Sequence, residues 1–156
     1  MIEAATRAAL EAGLIHSGDL VVITAGIPVG VPGTTNMIKI HIVGDVIARG
    51  TGIGVRAVTG IVRVVKNAQE AERVIAPGDI LVTAATDRDF VPAMEKAGAV
   101  ITEAGGLTSH AAIVGINLGI PVIVGVDGAA SILETGITVT VDGTRGLVYR
   151  GQTKVL

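Results

Sequence analysis

Residues 99–125 read AVITEAGGLTSHAAIVGINLGIPVIVG, and no other stretch restricts the fold as tightly. Ala99, Val100, Ile101 and Thr102 form a short β-favouring run that stops at Glu103; Gly105 and Gly106 follow, then Thr108-Ser109-His110, then an apolar segment to Leu118. An apolar run closed by a glycine pair reads as a strand and a tight turn. Beyond the turn, Ala111, Val114 and Leu118 recur at spacings of three and four, which predicts a helix. Thr108 or Ser109 is placed as its N-cap, and Gly119 as its stop ahead of Ile120-Pro121. His110 then opens the helix, where unpaired N–H groups and the macrodipole present about half a positive charge. That end opposes a proton on the imidazole and welcomes a phosphoryl group, whose oxygens would meet N–H donors and the hydroxyls of Thr108 and Ser109. The residues alone leave a plainer alternative open, a histidine that packs or caps beside a turn.

The segment from Gly105 to Ala112, with Leu118-Gly119-Ile120-Pro121 after it, resembles the phosphohistidine signature of the phosphoenolpyruvate-utilising mobile domain. That domain occurs in pyruvate phosphate dikinase, phosphoenolpyruvate synthase and enzyme I of the sugar phosphotransferase system. The resemblance implies a swivelling β/β/α fold, with His110 as phosphoryl acceptor and Gly105, Gly106, Thr108 and Ser109 around the phosphate. One position departs from it: where those enzymes usually place Ala-Arg, this chain has Gly115-Ile116. The departure removes a positive charge from the expected phosphate site.

The chain before this stretch is less self-sufficient. Residues 1–12 hold good helix formers, with Gly13 as a stop. Residues 20–24 are a continuous apolar strand, and 26–33 a loop with two prolines and three glycines. Residues 37–43 alternate, with Ile38, Ile40 and Ile42 on one side and Met37, Lys39 and His41 on the other, which predicts a half-buried strand with His41 on its wetter face. One helix and two strands are too little to bury their own faces. The segments 17–28 and 33–40 are similar to the end of the pyruvate kinase C-terminal domain, and some bacterial members of that family carry an appended mobile domain. Together the two resemblances cover nearly the whole chain. They imply the C-terminal regulatory and structural portion of such an enzyme, inactive alone, whose missing barrel would use magnesium and potassium. In that family Gly26, Gly33, Thr34, Thr35 and Asn36 would form part of a sugar-phosphate effector loop whose partner loop lies upstream, so no competent effector site is expected here. From the residues alone the glycines and Thr34-Thr35 could offer donors to a phosphate, but such loops are more often simple connections.

Arg49-Gly50-Thr51-Gly52-Ile53-Gly54 reads as a glycine-rich hinge, giving a terminal allosteric part at 1–49, a linker at 50–54 and a mobile domain at 55–156. A dinucleotide reading of Gly50-x-Gly52 fails, because Val55 stands where a third glycine belongs and a strand follows where a helix is needed. Strands are expected at 58–65, 80–83, 122–124, 138–141 and 147–150, and helices at 68–75, 90–97 and 129–133. The fold class is therefore α/β, a swivelling β/β/α domain preceded by a partial α/β unit. In residues 86–94, Thr86 and Asp89 have capping-box spacing and Pro92 fits a helix's first turn. A metal pair at Asp87 and Asp89 is the other reading of that segment.

Composition excludes several functions. A formal net charge of −2 with one Phe and one Tyr offers neither a basic footprint nor stacking surface for nucleic acid. The chain has no cysteine, so neither disulfides nor thiolate metal sites are available, which suits a cytoplasmic protein. The most apolar run, 113–126, is broken by Asn117, three glycines and Pro121, so no membrane span is expected. No Gly-x-x-x-x-Gly-Lys loop, nucleophile elbow or two-histidine metal spacing occurs. The expected partners are the rest of a longer chain, a further copy of it, and a phosphate- or sulfate-sized anion.

Overall fold

The computed structural model describes residues 2–16, 19–26, 32–33, 37–153 and 155. It divides into two compact units, one running to Asp45 and taking in the last residues from Thr153, the other spanning Val46–Gln152.

In the first unit, α1 (Ile2–Glu11) has no buried residue. Strands β1 (Leu20–Ala25) and β2 (Met37–Ile42) pair antiparallel, with Val22 opposite Ile40 and Thr24 opposite Ile38. The expected alternation is present, but the isoleucine face is not covered: Ile38 is 74% and Ile40 56% exposed, beside exposed Leu20 and Val22. The opposite face, through Val21, Ile23 and Ala25, is half-buried. The prediction of a half-buried β2 with its isoleucines inward is corrected here. Two strands and one helix cannot supply a layer for each face of a sheet. The His41 side chain lies outside the described residues.

The second unit contains β3 (Val46–Arg49), β4 (Thr51–Ile53), β5 (Ala57–Val64), α2 (Ala68–Val74), β6 (Ile80–Thr83), a 3-10 turn (Arg88–Phe90) and α3 (Val91–Lys96). It continues with β7 (Ala99–Thr102), α4 (His110–Leu118), β8 (Val122–Val124), α5 (Ala129–Ile132), β9 (Thr138–Asp142) and β10 (Leu147–Arg150). The strands form one sheet in the order β3-β10-β9-β5-β6-β7-β8-β4. From β5 to β8 the pairing is parallel, with a helix in each crossover; the other pairs are antiparallel. β6, β7 and β8 are buried at every position, as strands covered on both faces require. On one face Leu81, Val100 and Val122 pack with Ala71 of α2, Met94 of α3 and Ala112 of α4. On the other, Val82, Ile101 and Ile123 pack with Leu133 after α5 and with Val139, Val141 and Val148 of the antiparallel strands.

The stretch 50–54, expected as a hinge, is built into this sheet. β3 and β4 occupy opposite ends of the strand order yet are separated in sequence only by Gly50, so the two edges of the sheet meet there. The glycines read as flexible instead allow close crossing: a Cβ on Gly50 would strike the Val124 carbonyl and the Val126 side chain. The Gly50 N–H donates to the Gly146 carbonyl at 3.0 Å.

The β9–β10 turn is fixed by Asp142, which is fully buried. Its Oδ1 accepts the N–H groups of Thr144 at 3.0 Å and Arg145 at 3.3 Å, and its Oδ2 accepts from the Arg145 guanidinium at 3.0 Å. Burial, and then the Asp142 charge, push the Tyr149 phenol above its ordinary pKa.

Candidate functional site

The site lies at the carboxyl ends of the parallel strands. Two bonds continue the β6–β7 pairing past the strands: Glu103 N–H donates to the Thr83 carbonyl at 3.2 Å, and Ala104 N–H to the Ala84 carbonyl at 2.9 Å. They hold the loop after β6 against the loop after β7. In the latter, Thr102 Oγ1 donates to the Ala104 carbonyl at 2.7 Å, and the Ser109 N–H donates to the Gly106 carbonyl at 3.0 Å. Gly105 bends the chain at φ +111°, a conformation that disfavours a side chain.

His110 is the first residue of α4. Ser109, not Thr108, is the N-cap, its Oγ accepting the Ala112 N–H at 3.4 Å. Gly119 ends the helix in the left-handed conformation, its N–H reaching the Gly115 and Ile116 carbonyls. Gly115 faces β8 so closely that a Cβ there would collide with Val122. Ile116, at the position expected to carry arginine in the resembled enzymes, is 62% exposed, and Ile113 and Leu107 are exposed as well.

Sequence reasoning missed Thr86. Its Oγ1 lies 2.9 Å from His110 Nδ1, so one ring nitrogen is held and Nε2 remains to meet a ligand. The capping-box reading of Thr86 with Asp89 is corrected: Asp87 caps the 3-10 turn, its Oδ1 accepting the Asp89 N–H at 2.9 Å. Pro92 sits in the first turn of α3, as expected. The signal that could have found Thr86 is its place just beyond β6, because loops after neighbouring parallel strands share one end of a sheet.

Gly105, Gly106 and Thr108 are exposed in the loop before α4. Of the effector-loop residues, Gly26 is half-buried and Gly33 lies in a turn at φ +83°, while Thr34, Thr35 and Asn36 lie outside the described residues. Among the described residues, no three His, Asp or Glu side chains gather to hold a metal ion, and no helix is long and apolar enough to cross a membrane.

The second unit has the α/β architecture of a swivelling β/β/α domain, with His110 opening the helix that follows a parallel strand. Residues 75–146 match the family described as PEP-utilising enzyme, mobile domain, and residues 1–41 match the pyruvate kinase alpha/beta domain. Pyruvate kinase of Geobacillus stearothermophilus is 54% identical over 156 residues, 100% of this chain and 27% of that protein. That of Bacillus licheniformis is also 54% identical over the whole chain, which is 26% of its length. Among solved structures, Thermococcus kodakaraensis aconitase X in its holo form shares the fold, with TM-score 0.52 and 20% identity over 67% of this chain and 98% of that one. An enzyme I solution structure aligns with 49% of this chain and 32% of its own, at 28% identity and TM-score 0.44. The chain is similar to the C-terminal portion of these pyruvate kinases and spans about a quarter of their length.

Proposed function

We propose that this chain is the regulatory and structural C-terminal portion of a cytoplasmic pyruvate kinase, which moves the phosphoryl group of phosphoenolpyruvate to ADP, and that alone it turns over nothing. The observation that carries this reading is the joining of two matches in one chain, the pyruvate kinase alpha/beta domain at 1–41 and the mobile domain at 75–146. The barrel holding phosphoenolpyruvate, ADP, magnesium and potassium would lie in the remaining length of such an enzyme. The exposed face of Leu20, Val22, Ile38 and Ile40 supports pairing of the first unit with that remainder, and assembly into an oligomer. With Thr34, Thr35 and Asn36, Gly26 and Gly33 would supply one side of an effector loop that upstream residues complete.

In this reading His110 keeps the phosphohistidine position without serving as a relay. Transfer from phosphoenolpyruvate to ADP is direct, and phosphoryl transfer needs positioned positive charge, whereas Ile116 stands where arginine is expected. A phosphate- or sulfate-sized anion can still rest against Gly105, Gly106, Thr108, Ser109 and His110. The carrier alternative draws support from the Thr86 contact, which leaves His110 Nε2 available. A full-length enzyme bearing this region, as wild type and His110→Ala, decides between them when turned over with labelled phosphoenolpyruvate. Unchanged turnover and no acid-labile, alkali-stable label are expected; label on wild type that is lost with activity in the variant overturns the appendage reading.

A further inference from the structure

A groove of about 860 Å³ opens at the carboxyl end of β6, between α2 and the segment that runs from the 3-10 turn into α3. Neither Thr86 nor His110 lines it. Its volume is that of a small-molecule pocket, and crevices beyond the carboxyl ends of parallel strands are where such sheets take ligands.

Thr83 lines the groove and is 1% exposed. Strand alternation puts its side chain on the same face as Leu81, the face packed against α2 and α3. Among the described residues no protein group hydrogen-bonds its hydroxyl, which borders the groove. The walls are charged. Lys66 and Glu72 come from the α2 side, and Asp87, Arg88 and Asp89 from the other. Asp87 is engaged as the cap of the 3-10 turn. Among the described residues, no hydrogen bond or ion pair engages the side chains of Lys66, Glu72, Arg88 or Asp89.

The lining therefore sets two cations against three carboxylates. A purely anionic ligand meets a net negative wall, and a purely cationic one leaves Lys66 and Arg88 unmatched. A ligand carrying both charges satisfies both sets with charge-assisted hydrogen bonds. We propose that this groove binds a small ammonium–carboxylate zwitterion of the amino-acid class. Its carboxylate is held by Lys66 and Arg88, its ammonium by Glu72 and Asp89, and the Thr83 hydroxyl bonds to it from the floor. This site is independent of the reading of His110.

The test follows the backbone amide shifts of the 15N-labelled 156-residue chain as each of a panel of α-amino acids is added to about 10 mM, a range that captures millimolar affinity. Inorganic phosphate, acetate and methylamine are titrated in parallel. At least one amino acid is expected to give saturable shifts at residues 66–72 and 83–90 that no single-charge probe matches. Arg88→Ala and Asp89→Asn are each expected to weaken that binding about tenfold, with the rest of the spectrum unchanged as evidence of folding. The proposal is overturned if no amino acid saturates these amides, if phosphate or methylamine binds there as tightly, or if both variants bind like the wild type.

Discussion

The two units contain strands of similar composition and treat them in opposite ways. β6 reads Ile-Leu-Val-Thr and is buried at every position; β1 reads Leu-Val-Val-Ile-Thr-Ala and alternates between exposed and half-buried. The difference lies in what covers each face, since β6 has helices on one side and α5 with the antiparallel strands on the other. Apolar content makes a strand fit to be buried, but a second layer of structure has to do the burying.

The largest expected effect separates a covered side chain from an open one. Leu81→Ala removes a fully buried side chain and should destabilise the second unit by about 2–5 kcal/mol, whereas Val22→Ala should cost less than about 0.5 kcal/mol. Tyr149, the only tyrosine in a chain without tryptophan, lies in the second unit, so its near-ultraviolet signal in denaturant titrations reads the Leu81→Ala loss, while amide hydrogen exchange of β1 and β2 reads the Val22→Ala loss in the first unit. Equal losses from the two substitutions would erase the contrast between the units.

A smaller effect probes the open face directly. Replacing Val22 and Ile38 together with threonine keeps β-favouring residues but removes apolar surface. Self-association of the 156-residue chain, measured by sedimentation, should weaken about tenfold, with Tyr149-reported stability unchanged. Association that persists undiminished would assign it to another surface.

The smallest effect belongs to the covered unit. Because Tyr149 is raised in the folded state, its contribution to stability is fully present below the phenol's ordinary pKa of about 10 and is lost as pH rises towards the folded value. Above that ordinary value the unfolded chain releases the proton first, so stability falls with pH. Tyr149→Phe should flatten that alkaline decline, followed by circular dichroism in denaturant; identical slopes in variant and wild type would show that other groups cause it.

Local chemistry made most elements readable from the sequence. The strands at 80–83, 122–124 and 147–150 fall where expected, and β5, α2 and β9 differ from expectation by a residue or so at their ends. Ser109 and Gly119 bound α4 because a capping hydroxyl and a left-handed glycine act within a few residues of themselves. His110 could be found for the same reason. Three features depended on partners distant in sequence. Residues 46–53 look like an apolar piece and a flexible hinge, and only pairing with β10 on one side and β8 on the other makes them the two edges of a sheet. Thr86 meets His110 across 24 residues because two strand-end loops are held together by the β6–β7 pairing. The alternation of β2 fixed which residues share a face, but whether that face is covered depends on a layer that two strands and one helix cannot provide. Periodicity and caps are properties of the local chain and are written in it, whereas pairing and coverage are settled by free energy shared between segments far apart in sequence.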